Sequence, residues 1–483
     1  MLKNKTNFIY YFLILITVFI FQGSSYNFET LDWDVNAFLV TSLEFGRGNL
    51  PYENQYENKP PLLFFIFYIF SIISNSQLLI IKILNDLVIF LIVIQTIFIF
   101  KKKGTKVEVS NLLPGFLFIL FTSNNWFHAS YSEYIALVFI VSSYIIYKKN
   151  FSDYKFFLIG LFLGMATLIN LGTFIFLGAF FVIYFLNQVN NVGPHIKTLL
   201  GFGSVHLIFL VLYFINGLID EYMMAMINIP LSYAETDFSF ISNLTIFFKS
   251  FSAYNFLIYF ILLLCISLIF YKILYSLKRK KLNTDNYEIL VFNFFAILFY
   301  FLAGKGYYHH LIFSLYFLSL TIIWIKNSNL QRMFLFSIIF VLLFSLNQFK
   351  DLTYNNFLNI ENLEDNYPLK KAANQIIKNN IDYDSIFSTD NILILYYLDR
   401  PNASYVVHPA LYDYQEITSV LIEFNKISEN EKNEKFSLNL SLYEGDFFEN
   451  NLSLEYSKVK FDQIDNFLIN FWSKSKTVNI YSK

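Results

Sequence analysis

Long apolar runs separated by short polar segments make up residues 1–347. Twelve runs rich in Phe, Leu, Ile and Val are candidates for helices: residues 7–23, 61–73, 78–100, 111–123, 134–147, 156–170, 172–186, 199–219, 255–275, 287–303, 311–325 and 333–347. A helix needs roughly 20 predominantly apolar residues to cross a bilayer, and many of these runs approach that length. The pattern predicts an all-α polytopic membrane protein.

The pattern becomes polar near residue 348, and residues 348–483 carry 20 acidic and 13 basic side chains. We predict an amphipathic helix in YPLKKAANQIIKNN, a strand in DSIFSTD, a helix in NILILYYLDR and a strand in ASYVVHP, with a further helix near 413–427. This alternation predicts a transmembrane domain over 1–347 and a small α/β domain over 348–483.

The composition agrees with a membrane protein, because 56% of the residues are hydrophobic and 15% are charged. Soluble domains carry about 25% charged residues. The net charge of -1 gives no sign of a nucleic-acid partner, and the single cysteine, Cys265, excludes a disulfide framework. The basic and apolar start lacks a small-residue cleavage site, so we expect an uncleaved first span rather than a signal peptide.

Basic residues indicate which loops are cytoplasmic, because such loops are enriched in Lys and Arg. If all twelve runs crossed, the three lysines at 101–103 would lie outside. The run 61–73 has only 13 residues and is short for a span. Placing it along the outer face puts sixteen basic residues in inner loops and leaves only four outside: Arg47, Lys59, Lys249 and Lys305. We therefore expect about eleven transmembrane helices, an inner N-terminus and an outer C-terminus, with 156–186 forming two short helices that turn near Asn170.

This topology gathers polar groups on the outer face. The outer loops contain carboxylates, basic groups and a tyrosine that are candidates for chemistry: Asp32, Asp34, Lys59, His128, Glu133, Lys305, Tyr307, His309 and His310. A carboxylate can accept a proton from a hydroxyl group or bind a metal. Lysine and histidine can bind a phosphate and stabilise its charge as it leaves.

The order of these motifs resembles the GT-C glycosyltransferases. An acidic pair in the first outer loop is followed by GNLPY and then by KPPLLFFIFYIF, which in this family is a juxtamembrane helix. The nearest types are bacterial polyprenyl-phosphate-sugar-dependent transferases, akin to protein O-mannosyltransferases and lipid A aminoarabinose transferases. Ser132-Glu133 resembles the second acidic site of the family, and GKGYYHHLIFSLYFL resembles its glycine, aromatic and histidine stretch. The resemblance covers about residues 8–347.

The resemblance implies roles for individual residues. The family usually has Asp-Glu after a tryptophan, so alignment on Trp33 makes Asp34 the catalytic base, although Val35 replaces the Glu. Asp32 and Glu133 are the other candidate catalytic carboxylates. The candidate ligands of the carrier phosphate are Lys59, Lys305, Tyr307, His309 and His310. Some relatives place a carboxylate where this chain has Asn58, with Glu57 one step away, and this difference weakens the case for a tightly bound metal. A divalent cation stays open as a cofactor.

The function implied is transfer of a sugar, with inversion, from a polyprenyl-phosphate carrier to an acceptor glycan, lipid or protein. The reaction is expected on the extracytoplasmic face of a bacterial inner membrane. Two alternatives stay open, a flippase or transporter of lipid-linked glycans and an oligosaccharide polymerase or ligase. The individual residues also have plainer explanations: loop carboxylates often face water, and Lys59 would reach lipid headgroups from an interface.

Overall fold

The structure is a computed structural model of the 483-residue chain. It describes residues 2–30, 32–101, 105–124, 127–149, 154–187, 192–234, 244–245, 256–279, 287–302, 307–378, 386–388, 392–402, 404–408, 411, 414–427, 438–441, 457–459 and 479–482. The chain forms two compact units. The first comprises Met1–Ser24, Asn85–Ile208 and Phe238–Tyr354, and the second comprises Ser25–Leu84, Phe209–Asp237 and Asn355–Lys483.

The first unit is built from apolar helices, two of which, α9 and α15, continue into the second unit. They are α1 (Leu2–Gln22), the greater part of α4 (Leu78–Phe100), α5 (Val109–Phe121), α6 (Ser132–Lys149), α7 (Lys155–Thr167), α8 (Ile175–Leu186), α9 (Gly193–Ile215), α12 (Phe256–Arg279), α13 (Glu288–Leu302), α14 (Ile312–Ser319) and α15 (Ser328–Leu358).

The prediction that the apolar runs form helices is confirmed. Among the described residues, three segments are long and apolar enough to cross a membrane: Phe8–Ser25, Leu78–Phe100 and Gly193–Ile215. The remaining apolar helical segments that were searched are 10–17 residues long, among them Ile258–Leu274 of α12 and Asn329–Val341 of α15. The predicted break within 156–186 is also confirmed, because a 3-10 turn at Leu171–Phe174 separates α7 from α8. The overall class is that of an all-α membrane protein.

Two glycines let the backbones of α7 and α9 touch. A Cβ atom on Gly160 would lie 1.9 Å from the carbonyl oxygen of Thr198, and one on Gly201 would lie 2.0 Å from that of Phe157. No real side chain tolerates such distances. Small residues commonly allow this kind of close approach between membrane helices.

A short helix carries the two adjacent histidines of the first unit. The 3-10 turn Tyr308–Leu311 leads directly into α14, which is followed by a second 3-10 turn at Leu320–Trp324. Helix α14 is held against α13, because Phe292 and Phe317 stack with ring centroids 4.8 Å apart. The Asn293 amide also donates to the Phe317 carbonyl at 3.0 Å. These contacts attach the later part of α14 to α13.

The second unit combines the long first loop with the C-terminal part of the chain. Its elements are α2 (Trp33–Ser42), α3 (Pro61–Ser74), the first residues of α4, α10 (Ile219–Met223), a π-helical turn (Met224–Asn228), α11 (Ile229–Ala234), α16 (Ile360–Leu363), α17 (Pro368–Lys378), α18 (Leu393–Tyr397), α19 (Gln415–Glu423) and four strands.

Helix α3 is the predicted helix after the Lys-Pro-Pro motif. Pro60 is its N-cap residue and Pro61 its first helical residue, where the missing N–H is no loss. The helix has 14 residues. At 1.5 Å per residue it is about 21 Å long, which is shorter than the roughly 30 Å apolar core of a bilayer.

Buried carboxylates join the first loop to the C-terminal part of the chain within the second unit. Glu29 accepts hydrogen bonds from the backbone N–H groups of Leu369 and Lys370, at 2.7 and 2.9 Å, and so caps α17. Glu364 accepts from Leu78 and Leu79 at the start of α4. Each carboxylate satisfies N–H groups that a helix leaves without an internal partner.

The strands form a small mixed sheet in the order β1-β2-β4-β3. They are β1 (Ile386–Ser388), β2 (Leu438–Ser441), β3 (Ser457–Val459) and β4 (Asn479–Ser482). Strand β1 runs parallel to β2, and β4 pairs antiparallel with both β2 and β3. The strand expected in DSIFSTD is therefore present as β1, and the three predicted C-terminal helices are present as α17, α18 and α19.

Candidate active site

The candidate residues fall in two groups, one in each unit. We call Asp34, Glu57, Lys59 and His408 the acid–histidine cluster of the second unit. We call Glu133, His309 and His310 the Glu–His cluster of the first unit. Lys305, the other candidate phosphate ligand, lies outside the described residues.

The start of α2 positions Asp34. Asp32 is the N-cap residue, and its side chain accepts a hydrogen bond from the Asp34 backbone N–H at 2.9 Å. Asp is among the preferred N-cap residues for this reason. Asp34 follows in the first turn, where the helix dipole favours a negative charge. Of the two expected acids, Asp32 caps α2 and Asp34 lies close to His408.

A single β-bridge brings His408 to this place. Tyr56 pairs in parallel with Val406. The Tyr56 N–H donates to the Tyr405 carbonyl at 2.6 Å, and the Val407 N–H donates to the Tyr56 carbonyl at 2.9 Å. Since Glu57 follows Tyr56 and His408 follows Val407, the bridge carries both side chains to the start of α2. The expected strand in ASYVVHP is reduced here to this one bridge within 404–408.

His408 and Asp34 form a close pair. The Nε2 atom of His408 lies 3.3 Å from Oδ1 of Asp34, with His408 buried and Asp34 30% exposed. Burial by itself lowers the pKa of His408. The hydrogen bond with Asp34 and the negative charges of Glu57, Asp34 and Asp32 outweigh burial and raise that pKa to about 9. The imidazole is therefore protonated at neutral pH and forms an ion pair with Asp34.

Glu57 is the buried third member of the cluster. Burial raises its pKa to about 7, with the charge of Asp34 adding to the rise and those of His408 and Lys59 opposing it. Its Oε2 atom is buried and accepts no hydrogen bond from the described residues. The indole N–H of Trp33, whose ring centre lies 6.3 Å from that of His408, likewise has no acceptor in the described part of the chain.

The backbone of Lys59 is held firmly. Its N–H donates to the Glu57 carbonyl at 2.8 Å, and its carbonyl accepts a hydrogen bond from the Tyr52 hydroxyl. The ammonium group lies 5.9 Å from the ring centre of Phe38 on α2. Lys59 is thus a fixed cation next to Glu57 and before α3.

The Glu–His cluster is buried at the start of two helices. Glu133 occupies the first turn of α6, and His309 and His310 lie in the turn that precedes α14. The Oε1 atom of Glu133 lies 3.8 Å from Nε2 of His310. One donor atom from each of the three side chains lies within 4.8 Å of the other two. Carboxylate and imidazole donors this close suit either an ion pair or a metal ion.

Neighbouring side chains hold this cluster in place. The Asn170 amide donates to Glu133 Oε1 at 3.0 Å, and the Ser132 hydroxyl donates to Oε2 at 3.2 Å. The ring of His309 stacks between those of Tyr131, with centroids 4.6 Å apart, and Tyr307, at 5.6 Å. Tyr307 therefore supports His309, and its own ring is 45% exposed.

His408, a member of the acid–histidine cluster, and Asn170, which supports the Glu–His cluster, were not singled out from the sequence for chemistry. His408 lies in a polar segment where a lone histidine has no informative spacing, and only the bridge to Tyr56 reveals its partner. Asn170 was expected at a helix break, and a polar residue at a break in an apolar run was the available signal. His128, a weaker candidate, is buried, and burial lowers its pKa to about 4, so it is neutral at pH 7.

Solved structures identify the fold. A crystal structure of ArnT from Cupriavidus metallidurans in the apo state matches with a TM-score of 0.59 at 12% identity, over 100% of this chain and 98% of that one. A second, of ArnT from the same organism bound to undecaprenyl phosphate, matches with a TM-score of 0.57 at 11% identity, over 98% and 97%. The chain has the ArnT fold. No protein-family model and no curated protein matches the sequence.

The likeness to ArnT agrees with the expected resemblance at the level of the fold. The match spans nearly the full length of both chains. At these identities the likeness to ArnT concerns the fold, and the chemistry has to be argued from the residues of this chain.

Proposed function

We propose that this protein is a membrane glycosyltransferase that moves a sugar from a polyprenyl-phosphate carrier to an acceptor hydroxyl. The observation that carries the proposal is the Asp34–His408 pair in a chain with the ArnT fold. A carboxylate at a helix start, oriented by a protonated histidine and partly exposed, is suited to act as a general base.

Asp34 would take the proton from the acceptor hydroxyl. The Nε2 atom of His408 lies next to Oδ1 of Asp34 and would hold the carboxylate in the orientation that meets the acceptor hydroxyl. The buried Oε2 of Glu57 and the indole N–H of Trp33 are an acceptor and a donor that a hydroxylated substrate would satisfy. The attack on the anomeric carbon would proceed from the side opposite the phosphate, with inversion. His408 is a positioning residue in this scheme.

Lys59 would bind the carrier phosphate and stabilise its growing negative charge. A fixed cation near a leaving group stabilises the transition state more than the ground state. Lys305 and the histidines 309 and 310, with Tyr307 beside them, are the other candidates for this task. Glu133 would help to orient the acceptor.

The donor class is supported by the ArnT structure that contains undecaprenyl phosphate. A lipid donor would keep its tail in the bilayer and bring its headgroup to the loops, so no soluble nucleotide-sugar site is required. The distribution of basic residues favours an extracytoplasmic active site in a bacterial inner membrane, with eleven spans. The acceptor class, whether glycan, lipid or protein, remains open in this proposal.

Residues 348–483 would form an extracytoplasmic α/β domain next to the transmembrane domain over 1–347. This segment would cap the active site or select the acceptor, and it also supplies His408 to the first loop. Mannosyl transfer is one variant of the proposed activity and has no specific support among the described residues.

The deciding experiment is a turnover assay on the purified protein in lipid, with a polyprenyl-phosphate-linked monosaccharide and candidate acceptors. Release of polyprenyl phosphate together with a glycosylated acceptor would support the proposal. Movement of the intact donor across sealed vesicles without bond cleavage would show a flippase instead. Activity only with donors that carry long glycans would show a polymerase or ligase.

A further inference from the structure

The Glu–His cluster combines one carboxylate with two imidazoles, and the proposed transferase chemistry does not fully account for this combination. Glu133 is 1% exposed, and His309 and His310 are 7% and 8% exposed. Burying ionisable groups this deeply is unfavourable unless they are paired or bind an ion. The cluster brings together α6 and the turn before α14, two segments that are far apart in sequence.

The donor set indicates which ion would fit. Two imidazoles and one carboxylate form the ligand set of several catalytic zinc sites, in which a fourth position holds water or substrate. Imidazole suits zinc, copper, iron and nickel, whereas magnesium and calcium prefer oxygen ligands. The cluster therefore favours a first-row transition metal over the alkaline-earth ions.

The three donor atoms lie slightly farther apart than they would around a bound metal ion. Around a tetrahedral zinc with bonds of about 2.0–2.1 Å, neighbouring ligand atoms are about 3.3 Å apart. The three donor atoms lie within 4.8 Å of one another, and the Glu133–His310 distance is 3.8 Å. Side-chain rotations that move each donor inward by about 1 Å or less would complete the site, without a change in the backbone.

Supporting contacts of the kind found around metal ligands are already present. Asn170 and Ser132 donate hydrogen bonds to the two oxygens of Glu133, which fixes the carboxylate. Aromatic rings enclose the histidines: Tyr131 stacks on His309, and the edge of Phe299 meets His310 at 5.8 Å. Such outer contacts orient the ligands.

We propose that Glu133, His309 and His310 bind one Zn²⁺ ion, with the fourth position available to an oxygen ligand. The metal site itself does not depend on the proposed function. One consequence does rest on the proposed function. The two histidines would be neutral ligands, and the metal ion would supply the positive charge for the carrier phosphate.

The test measures metal in the full-length protein, purified in detergent and transferred to lipid nanodiscs. We expect about one tightly held Zn²⁺ per chain by elemental analysis, and visible absorption typical of four-coordinate Co²⁺ after stripping and loading with Co²⁺. Glu133→Gln keeps the side-chain size and should weaken Zn²⁺ binding at least ~10-fold, as should His309→Ala and His310→Ala. Asn170→Ala, which removes only a supporting contact, should weaken it by about 10-fold to 100-fold.

The matched control is His195→Ala on α9, whose ring contacts Phe181 and Tyr184 and should not affect the metal. Each variant is compared only after gel filtration shows a single species, and Glu133→Gln carries the test if a histidine variant does not fold. Failure to bind Zn²⁺ or Co²⁺, or equal metal content in wild type and all four variants, would overturn the site. Because metal content is read without turnover, this result is independent of whether the transferase proposal holds.

Discussion

The imidazole of His408 lies 3.3 Å from the Asp34 carboxylate, although the two residues come from opposite ends of the chain. The contact is made within the second unit and depends on the β-bridge between Tyr56 and Val406. Asp34 alone would be one more loop carboxylate. With His408 it becomes a carboxylate of fixed orientation, and this relationship can be examined by substitution.

The first prediction concerns Asp34. Asp34→Asn should lower turnover at least ~100-fold with folding retained, because the variant cannot accept the hydroxyl proton. Asp32→Asn should be nearly silent, since Asn also caps a helix well. Initial rates of sugar transfer in lipid measure both. A larger loss in the Asp32 variant would mean that the alignment on Trp33 assigns the wrong acid.

The second prediction concerns His408 and pH. Its pKa rises from 6.5 to about 9 in the folded protein, so its protonated form is stabilised by folding. Protonated His408 therefore contributes up to about 3 kcal/mol to the free energy of unfolding. This contribution should be complete below pH 6.5, decline as pH rises and vanish above about pH 9. The difference in melting temperature between wild type and His408→Gln should follow this course. A difference that is constant from pH 6 to pH 9.5 would contradict the ion pair.

The third prediction concerns Glu57, whose charged form is disfavoured by folding, whereas the charged form of His408 is favoured. The pKa of Glu57 rises from 4.5 to about 7, because burial disfavours the ionised form. Ionisation of Glu57 therefore opposes folding, with no effect below pH 4.5 and the full effect above pH 7. The stability of Glu57→Gln relative to wild type should therefore increase from pH 5 to pH 8. Melting temperatures of both proteins at pH 5 and at pH 8 measure this difference. A relative loss of stability by the variant at pH 8 would refute the raised pKa of Glu57.

The fourth prediction concerns Lys59. Lys59→Ala should lower both donor affinity and turnover at least ~10-fold, whereas Lys59→Arg should retain part of each. Lys371→Ala, on α17 of the same unit and in contact with Asn366, serves as the control and should have little effect. Donor titrations against initial rate separate the two parameters. Equal and mild losses in the two alanine variants would show that Lys59 does not bind the phosphate.

The fifth prediction concerns the contact between α7 and α9. Gly160→Ala should destabilise the protein by at least about 2 kcal/mol, since the new methyl group would overlap the Thr198 carbonyl. Gly203→Ala lies on α9 with nothing within 4 Å and should be neutral or slightly stabilising. Melting temperatures of the two variants provide the comparison. Similar values would mean that the helices can separate at no energetic cost.

The apolar helices were predictable because each follows from local composition and length. The break near Asn170 and the start of α3 at Pro61 were predictable for the same reason, since Gly, Asn and Pro act on their own neighbourhood. The caps that Glu29 and Glu364 provide were not predictable, because a buried acid and a loop acid have the same local sequence. The pairing of His408 with Asp34 depends on one bridge between distant segments. Of the strand expected around His408, the described residues 404–408 form only this bridge.

The bridge between Tyr56 and Val406 also sets the order in which this site comes into existence during synthesis. At about 5–20 residues per second, roughly 20–75 s pass between the translation of Asp34 and that of His408. Throughout that interval the nascent chain contains Asp34 without the imidazole that orients it. A chain that ends before residue 408 therefore contains Asp34 and the helices that precede residue 408, but it has no assembled acid–histidine cluster.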